Sequence, residues 1–365
     1  MGFTCGIIGL PNIGKSTLFN ALTATAAADA ANYPFCTIEP NVGRVAVPDD
    51  RLAICARLTK SAEIVPTQLE FVDIAGLVRG AARGEGLGNQ FLSHIREVDA
   101  IAHVLRCFAD ANVTHIEGSV DPIRDAETVE TELMLADLES LERRALHMVK
   151  RARGGEKEAK LQLAVVEPVL AALRDGKPAR DLTIGVEQQK TLKALQLLTA
   201  KPVLYIANVD EGNAASGNAE SRRVAEYAAA RGARSVIISA AIEAELAQLS
   251  DAEKDEFLAS LGLAEPGLTR VIRAGYALLR LVTFFTAGPK EAHAWTVEQG
   301  TKAPQAAGKI HTDFERGFIR AETIAYADFA AYGGEQGARD AGRMRLEGAD
   351  YVVQDGDVMR FRFNL

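Results

Sequence analysis

The sequence predicts an α/β fold: a mostly parallel sheet built around a phosphate-binding loop, interrupted by a helical insertion and followed by a small α+β domain. Three observations predict it. Short β-branched runs alternate with helical stretches through the N-terminal third, the pattern of strands covered by helices. A glycine-rich G-x-x-x-x-G-K-S motif stands directly after the first of those runs. Beyond about residue 278 the composition shifts to Thr, Phe, Tyr, Ile and Val runs separated by glycine turns.

Taken in order, the strand-like runs are Phe3 to Ile8, Val42 to Val47, Leu69 to Ile74 and Ala100 to Cys107, and they resume at Pro202 to Ala207 and Ser235 to Ser239. Between them, residues 125–198 are rich in Ala, Leu, Glu, Arg and Lys. Val129, Leu133, Ala136, Leu141, Ala145 and Met148 fall at helical spacing, which predicts an amphipathic helix. A charged break at Arg153-Gly154-Gly155-Glu156 precedes a second periodic stretch through Leu161, Val165, Leu170 and Leu173, so the insertion reads as an antiparallel helical hairpin. Pro168 is expected to kink or shorten its second helix. The domain boundaries read as 1–124 with 199–277 for the nucleotide-binding domain, 125–198 for the insertion and 278–365 for the C-terminal domain.

A chain of 365 residues that is 48% hydrophobic is long enough for more than one core. Its formal charge of −8 argues against wholesale wrapping by nucleic acid, DNA included, because the average field repels phosphate, although a local basic patch could still bind RNA. Cys5, Cys36, Cys55 and Cys107 lie far apart with no C-x-x-C pair, which fits reduced thiols in a cytoplasmic protein. No apolar run approaches a membrane span, and the N-terminus has no secretory pattern.

The chemistry sits in five segments. In Gly9-Leu10-Pro11-Asn12-Ile13-Gly14-Lys15-Ser16-Thr17 the glycines let backbone N–H groups curl around a phosphate at a helix N-terminus, and Lys15 bridges the outer phosphates. Ser16 offers a hydroxyl to magnesium. Asp73-Ile74-Ala75-Gly76 is a D-x-x-G arrangement: Asp73 stands where it holds a magnesium-bound water, and the Gly76 N–H where it meets a γ-phosphate. Gly80, Gly84, Gly86 and Gly88 make the next segment a loop suited to ordering around a triphosphate. Thr37, between these two elements, is the expected third magnesium ligand, and its neighbour Cys36 raises the idea of a redox effect on hydrolysis.

Base recognition follows the strand that ends in Asn208-Val209-Asp210-Glu211. The usual N-K-x-D places an Asp carboxylate against two donors of guanine; here the lysine is missing and the longer Glu211 fills the fourth place, which weakens guanine selection and favours ATP. Asp210 leaves a one-residue shift open. Ser239-Ala240-Ala241, after the next strand, matches a backbone base-contact segment.

These motifs together resemble the Obg-like ATPase family, also called YchF, over essentially the whole chain. Asn32-Tyr33-Pro34-Phe35-Cys36-Thr37-Ile38-Glu39-Pro40 and the segment from Asp73 to Asn89 are similar to its switch segments, and Asn208 to Glu211 to its N-x-x-E. Ala306 to Phe314 and Asp355-Gly356-Asp357-Val358 resemble its TGS domain, a ubiquitin-like β-grasp fold. The resemblance implies a Ras-like P-loop domain, ATP preferred over GTP, and association with ribosomes.

Leu77 stands where Ras-like enzymes carry a water-orienting glutamine, so water must be positioned from elsewhere. His94 and His115 are the candidates, and the resemblance at Asn112-Val113-Thr114-His115 favours His115. Asn12 occupies the place that holds potassium against the phosphates in cation-dependent relatives. Arg143, Arg144, Lys150, Arg151, Arg153, Lys157 and Lys160 gather around the predicted tip of the insertion, either as a solvated helix end or as a contact for ribosomal RNA. The reading is therefore a magnesium-dependent ATPase, accepting GTP less well, that acts as a ribosome-associated switch in translation and stress regulation. A strictly GTP-dependent ribosome factor and a stress-response binding protein working through its appended domains are the alternatives.

Overall fold

The computed structural model describes residues 3–32, 42–74, 88–110, 115 and 118–364. Among them two sheets of six strands form, and the chain divides into two compact units.

The first sheet has the strands β1 (Phe3–Ile8), β2 (Val42–Ala46), β4 (Gln68–Asp73), β5 (Ala100–Arg106), β6 (Val203–Asn208) and β7 (Arg234–Ile238), in the order β2-β4-β1-β5-β6-β7; β3 (Glu63–Val65) belongs elsewhere. β5 pairs in parallel with β1 and β6, and β6 in parallel with β7, as crossover helices require. β5 and β6 are buried along their whole length, which fits their mostly apolar sequences, interrupted by His103, Arg106 and Asn208.

The insertion starts at a well-defined cap. Asp121 accepts hydrogen bonds from the N–H groups of Ile123 and Arg124, Pro122 fills the first helical turn, and the helix Pro122–Arg153 runs to Gly154. The returning helix Lys157–Arg174 contains Pro168, which does not end it. A third helix, Val186–Leu195, contributes Leu195 to the core formed by Leu141, Val165, Val169 and Leu173, so the insertion is more than a hairpin. No helix among the described residues is long and apolar enough to cross a membrane.

The second unit joins Leu279–Leu365 to Val45–Leu69, a segment that the sequence assigns to the N-terminal domain. Its strands are β3, β8 (Leu281–Ala287), β9 (Glu291–Glu298), β10 (Phe318–Ala325), β11 (Arg345–Glu347) and β12 (Asp357–Phe363). β8 and β9 form an antiparallel hairpin, β12 lies parallel to β8, and β10 is antiparallel to β12 and β11. Ala303, Ala306 and Ala307 of the helix Ala303–Ile310 pack on Phe284, Val297 and Phe361, a β-grasp arrangement of sheet around helix. The early segment joins through β3, which pairs in parallel with β9, and through Leu52, Cys55 and Ala56, which pack against Phe285 and Ala292. Arg51 fixes the same join, holding Asp49 at 2.8 Å and Asp355 at 2.7 Å.

Candidate nucleotide site

β1 delivers the phosphate loop to the helix Lys15–Asn32, whose first backbone donors and dipole favour an anion. Gly14 has φ +88°, and a Cβ there would collide with the amide of Asn208, so only glycine fits. Asn12 takes a left-handed conformation at φ +61°. The ammonium of Lys15, buried at the loop, is paired directly with the carboxylate of Asp73 at the end of β4. Ser16 and Thr17 are exposed on the first helical turn.

Asn208 is the residue that assembles the site. It is 2% exposed, donates from Nδ2 to the Ile13 carbonyl at 2.8 Å, and accepts from the Ala240 N–H at Oδ1 at 2.9 Å. One side chain thereby ties the phosphate loop to the segment Ser239-Ala240. It also serves as the cap of the helix Ala240–Leu246, where Ser239 makes no side-chain capping bond. The Ser239 hydroxyl is buried with no hydrogen-bond partner among the described residues. Val209 continues the strand by donating its N–H to Ile238 at 2.8 Å. Asp210 is turned onto the Asn213 amide, both of its oxygens 2.8 Å from Nδ2, while Glu211 is exposed.

His115 is buried, its Nε2 2.9 Å from Asp125 Oδ2 at the start of the insertion's first helix. Asp125 is in turn held by Arg124 at 3.0 Å. His94 lies exposed in the helix Gly88–Glu97. Thr37, Cys36, Gly76 and Leu77 fall outside the described residues. The described cysteines, Cys5, Cys55 and Cys107, are buried thiols pushed up to about 12, chiefly by desolvation, and so remain protonated and inert at neutral pH.

Two features escape sequence reasoning. Arg106, at the end of β5, is 1% exposed, and its guanidinium reaches the carbonyls of Phe108, Asp110 and Asn12. A charged residue closing an apolar strand was the available signal. Glu130 lies between Tyr205, at 2.5 Å, and Arg180, beside a buried His103 whose Nε2 has no hydrogen-bond partner among the described residues. Burial pushes His103 down to about 4, against the opposing pull of Glu130.

The family profile described as 50S ribosome-binding GTPase matches residues 4–136, and that of the YchF GTPase C-terminal region, described as a protein of unknown function (DUF933), matches residues 281–364. The chain is 58% identical over 365 residues to the ribosome-binding ATPase YchF of Haemophilus influenzae, with all of both chains covered. The chain belongs to the YchF family. The Bacillus subtilis YchF, also called a ribosome-binding ATPase, is 55% identical over 367 residues with both chains fully covered. The solved YchF GTPase of Schizosaccharomyces pombe superposes with a TM-score of 0.90 at 38% identity, covering 99% of this chain and 98% of that one. The YchF fold, a P-loop nucleotide-hydrolase domain with its C-terminal companion, is thus shared across the full length.

Proposed function

We propose that this YchF-family chain hydrolyses ATP in preference to GTP, with magnesium, as a nucleotide-controlled switch on the ribosome in the cytoplasm. One observation carries the preference: of the polar side chains after β6, Asn208 is committed to backbone groups, Asp210 is held by Asn213, and Glu211 alone is exposed. Guanine selection relies on a short carboxylate meeting two donors, and the residue left to meet the base edge is a glutamate. The Ser239 hydroxyl adds a buried group able to bond a base edge.

The oxygen donors Ser16, Thr37 and Asp73 suit magnesium, which takes hard oxygen ligands and keeps several waters. Bound there, the ion would neutralise charge on the phosphates. Lys15 has the reach for this chemistry, since it already meets a carboxylate oxygen beside the loop and would exchange it for phosphate oxygens. Asn12 is the place for a potassium ion. Gly76 supplies a backbone donor, and His115, oriented by Asp125, positions the attacking water.

The relatives' ribosome binding supports the same partner for this chain. Lys150, Arg153, Lys157 and Lys160 are exposed at the insertion's tip and available to ribosomal RNA, and the C-terminal TGS-type domain is the other surface. Comparing kcat/KM for ATP and GTP tests the proposal. The wild type is expected to favour ATP, and Glu211→Asp to move the ratio toward GTP by about tenfold, the value of one recovered hydrogen bond. A wild type that favours GTP overturns the ATP reading.

A further inference from the structure

We propose that Arg106 is a positioning residue of the nucleotide site, fixing the phosphate loop at Asn12 and the segment from Phe108 to Asp110 to one strand end. A guanidinium stays charged under all ordinary conditions, so burying it is costly unless its donors are met. Arg106 is 1% exposed, and each of its three nitrogens donates to a backbone carbonyl: Nε to Phe108 at 3.1 Å, Nη2 to Asp110 at 3.3 Å and Nη1 to Asn12 at 3.5 Å. Its central carbon lies 4.6 Å from the centre of the Phe108 ring. A leucine or methionine would fill the same core without the desolvation cost, so packing does not account for an arginine here.

The surroundings give the contact a purpose. Arg106 pairs in register with Asn208, the residue that holds Ile13 and Ala240. The Cys107 N–H donates to the Asn208 carbonyl at 2.8 Å, and Asn218 donates to the Cys107 carbonyl at 2.6 Å. The Asn12 carbonyl and the Ile13 N–H belong to one planar trans peptide and point in opposite directions. Holding that carbonyl from the strand side aims the Ile13 N–H away from the strand. Asn12 itself has φ +61°, the left-handed conformation that asparagine adopts more readily than other non-glycine residues.

The test uses full-length Arg106→Lys and Arg106→Gln. Lysine keeps the charge but not the planar fork, and glutamine keeps one donor without the charge. Melting temperature, the stoichiometry of a fluorescent nucleotide, and kcat and KM are measured with whichever nucleotide the wild type prefers, so the outcome does not depend on the ATP assignment. Both variants are expected to bind one nucleotide per chain, with kcat per bound site lowered about ten- to a hundredfold, as for a misplacement on the order of 1 Å. KM should change less, because other loop donors still hold the phosphates. A wild-type kcat per bound site in either variant, however low its melting temperature, would assign Arg106 to packing and overturn the proposal.

Discussion

Asn208→Ala removes the side chain that joins the phosphate loop to the Ser239-Ala240 segment, and its cost can be worked from two bonds. The Ala240 N–H loses its acceptor at 2.9 Å, equivalent to losing a helix cap, about 1 kcal/mol. The Ile13 carbonyl loses its donor at 2.8 Å, about 1–3 kcal/mol for a buried group left unpaired. Together these come to about 3 kcal/mol, a large part of a typical stability of roughly 5–15 kcal/mol. In a unit of this size each kcal/mol lowers the melting temperature by about 2–4 °C, so calorimetry should show a drop of roughly 6–12 °C. Nucleotide titration should show weakened binding, since the phosphate loop and the Ser239-Ala240 segment are no longer fixed to each other. Asn208→Asp keeps the Ala240 bond but sets two oxygens facing each other at Ile13, and should weaken binding too. A shift under about 2 °C with unchanged nucleotide affinity would refute the bridging role.

Three further outcomes follow from other parts of the molecule. His115→Ala should lower turnover at saturating ATP about a hundredfold, within the range for proton-handling groups, and wild-type turnover would remove His115 from the chemistry. Because the folded-state value of His103 is depressed from 6.5 to about 4, the unfolded chain takes up the proton first as pH falls. The resulting stability is complete above about pH 6.5 and is lost progressively toward pH 4, by roughly 3 kcal/mol in all. His103→Leu should flatten that part of the melting-temperature profile, and an unchanged profile would mean that His103 titrates normally. Replacing Lys150, Arg153, Lys157 and Lys160 by alanine should flatten the salt dependence of ribosome co-sedimentation by about 3 in log–log slope. Unchanged co-sedimentation across salt concentrations would mark the tip as a solvated helix end.

The strands of the first sheet were legible to within a residue because each is a short apolar run between polar turns: the run Phe3 to Ile8 is β1 itself, and the run Ala100 to Cys107 is β5 with one residue added. The break at Gly154 was legible from glycine and charge. β3 was not, because three residues, two of them exposed, carry no periodicity, and their pairing with β9 is set by a partner far along the chain. The motifs singled out Lys15, Asp73, Asn208 and Ala240, and in the fold Lys15 pairs with Asp73 and Asn208 with Ala240. The Lys15–Asp73 ion pair, the commitment of Asp210 to Asn213 and the Asp125 partner of His115 depend on side-chain directions that no spacing encodes.

The parallel pairing of β3 with β9 also bears on how the chain is made. During synthesis Leu52, Cys55 and Ala56 emerge before all of Glu70–Leu278, and their packing partners Phe285 and Ala292 come after it. The second unit therefore does not begin as a C-terminal module; the helix Asp50–Thr59, which carries these three residues, must stay shielded or loosely held until the last strands are translated. A truncation at residue 278 would not subtract a domain. It would strand an apolar helix face in water, the kind of surface that chaperones and proteases act on.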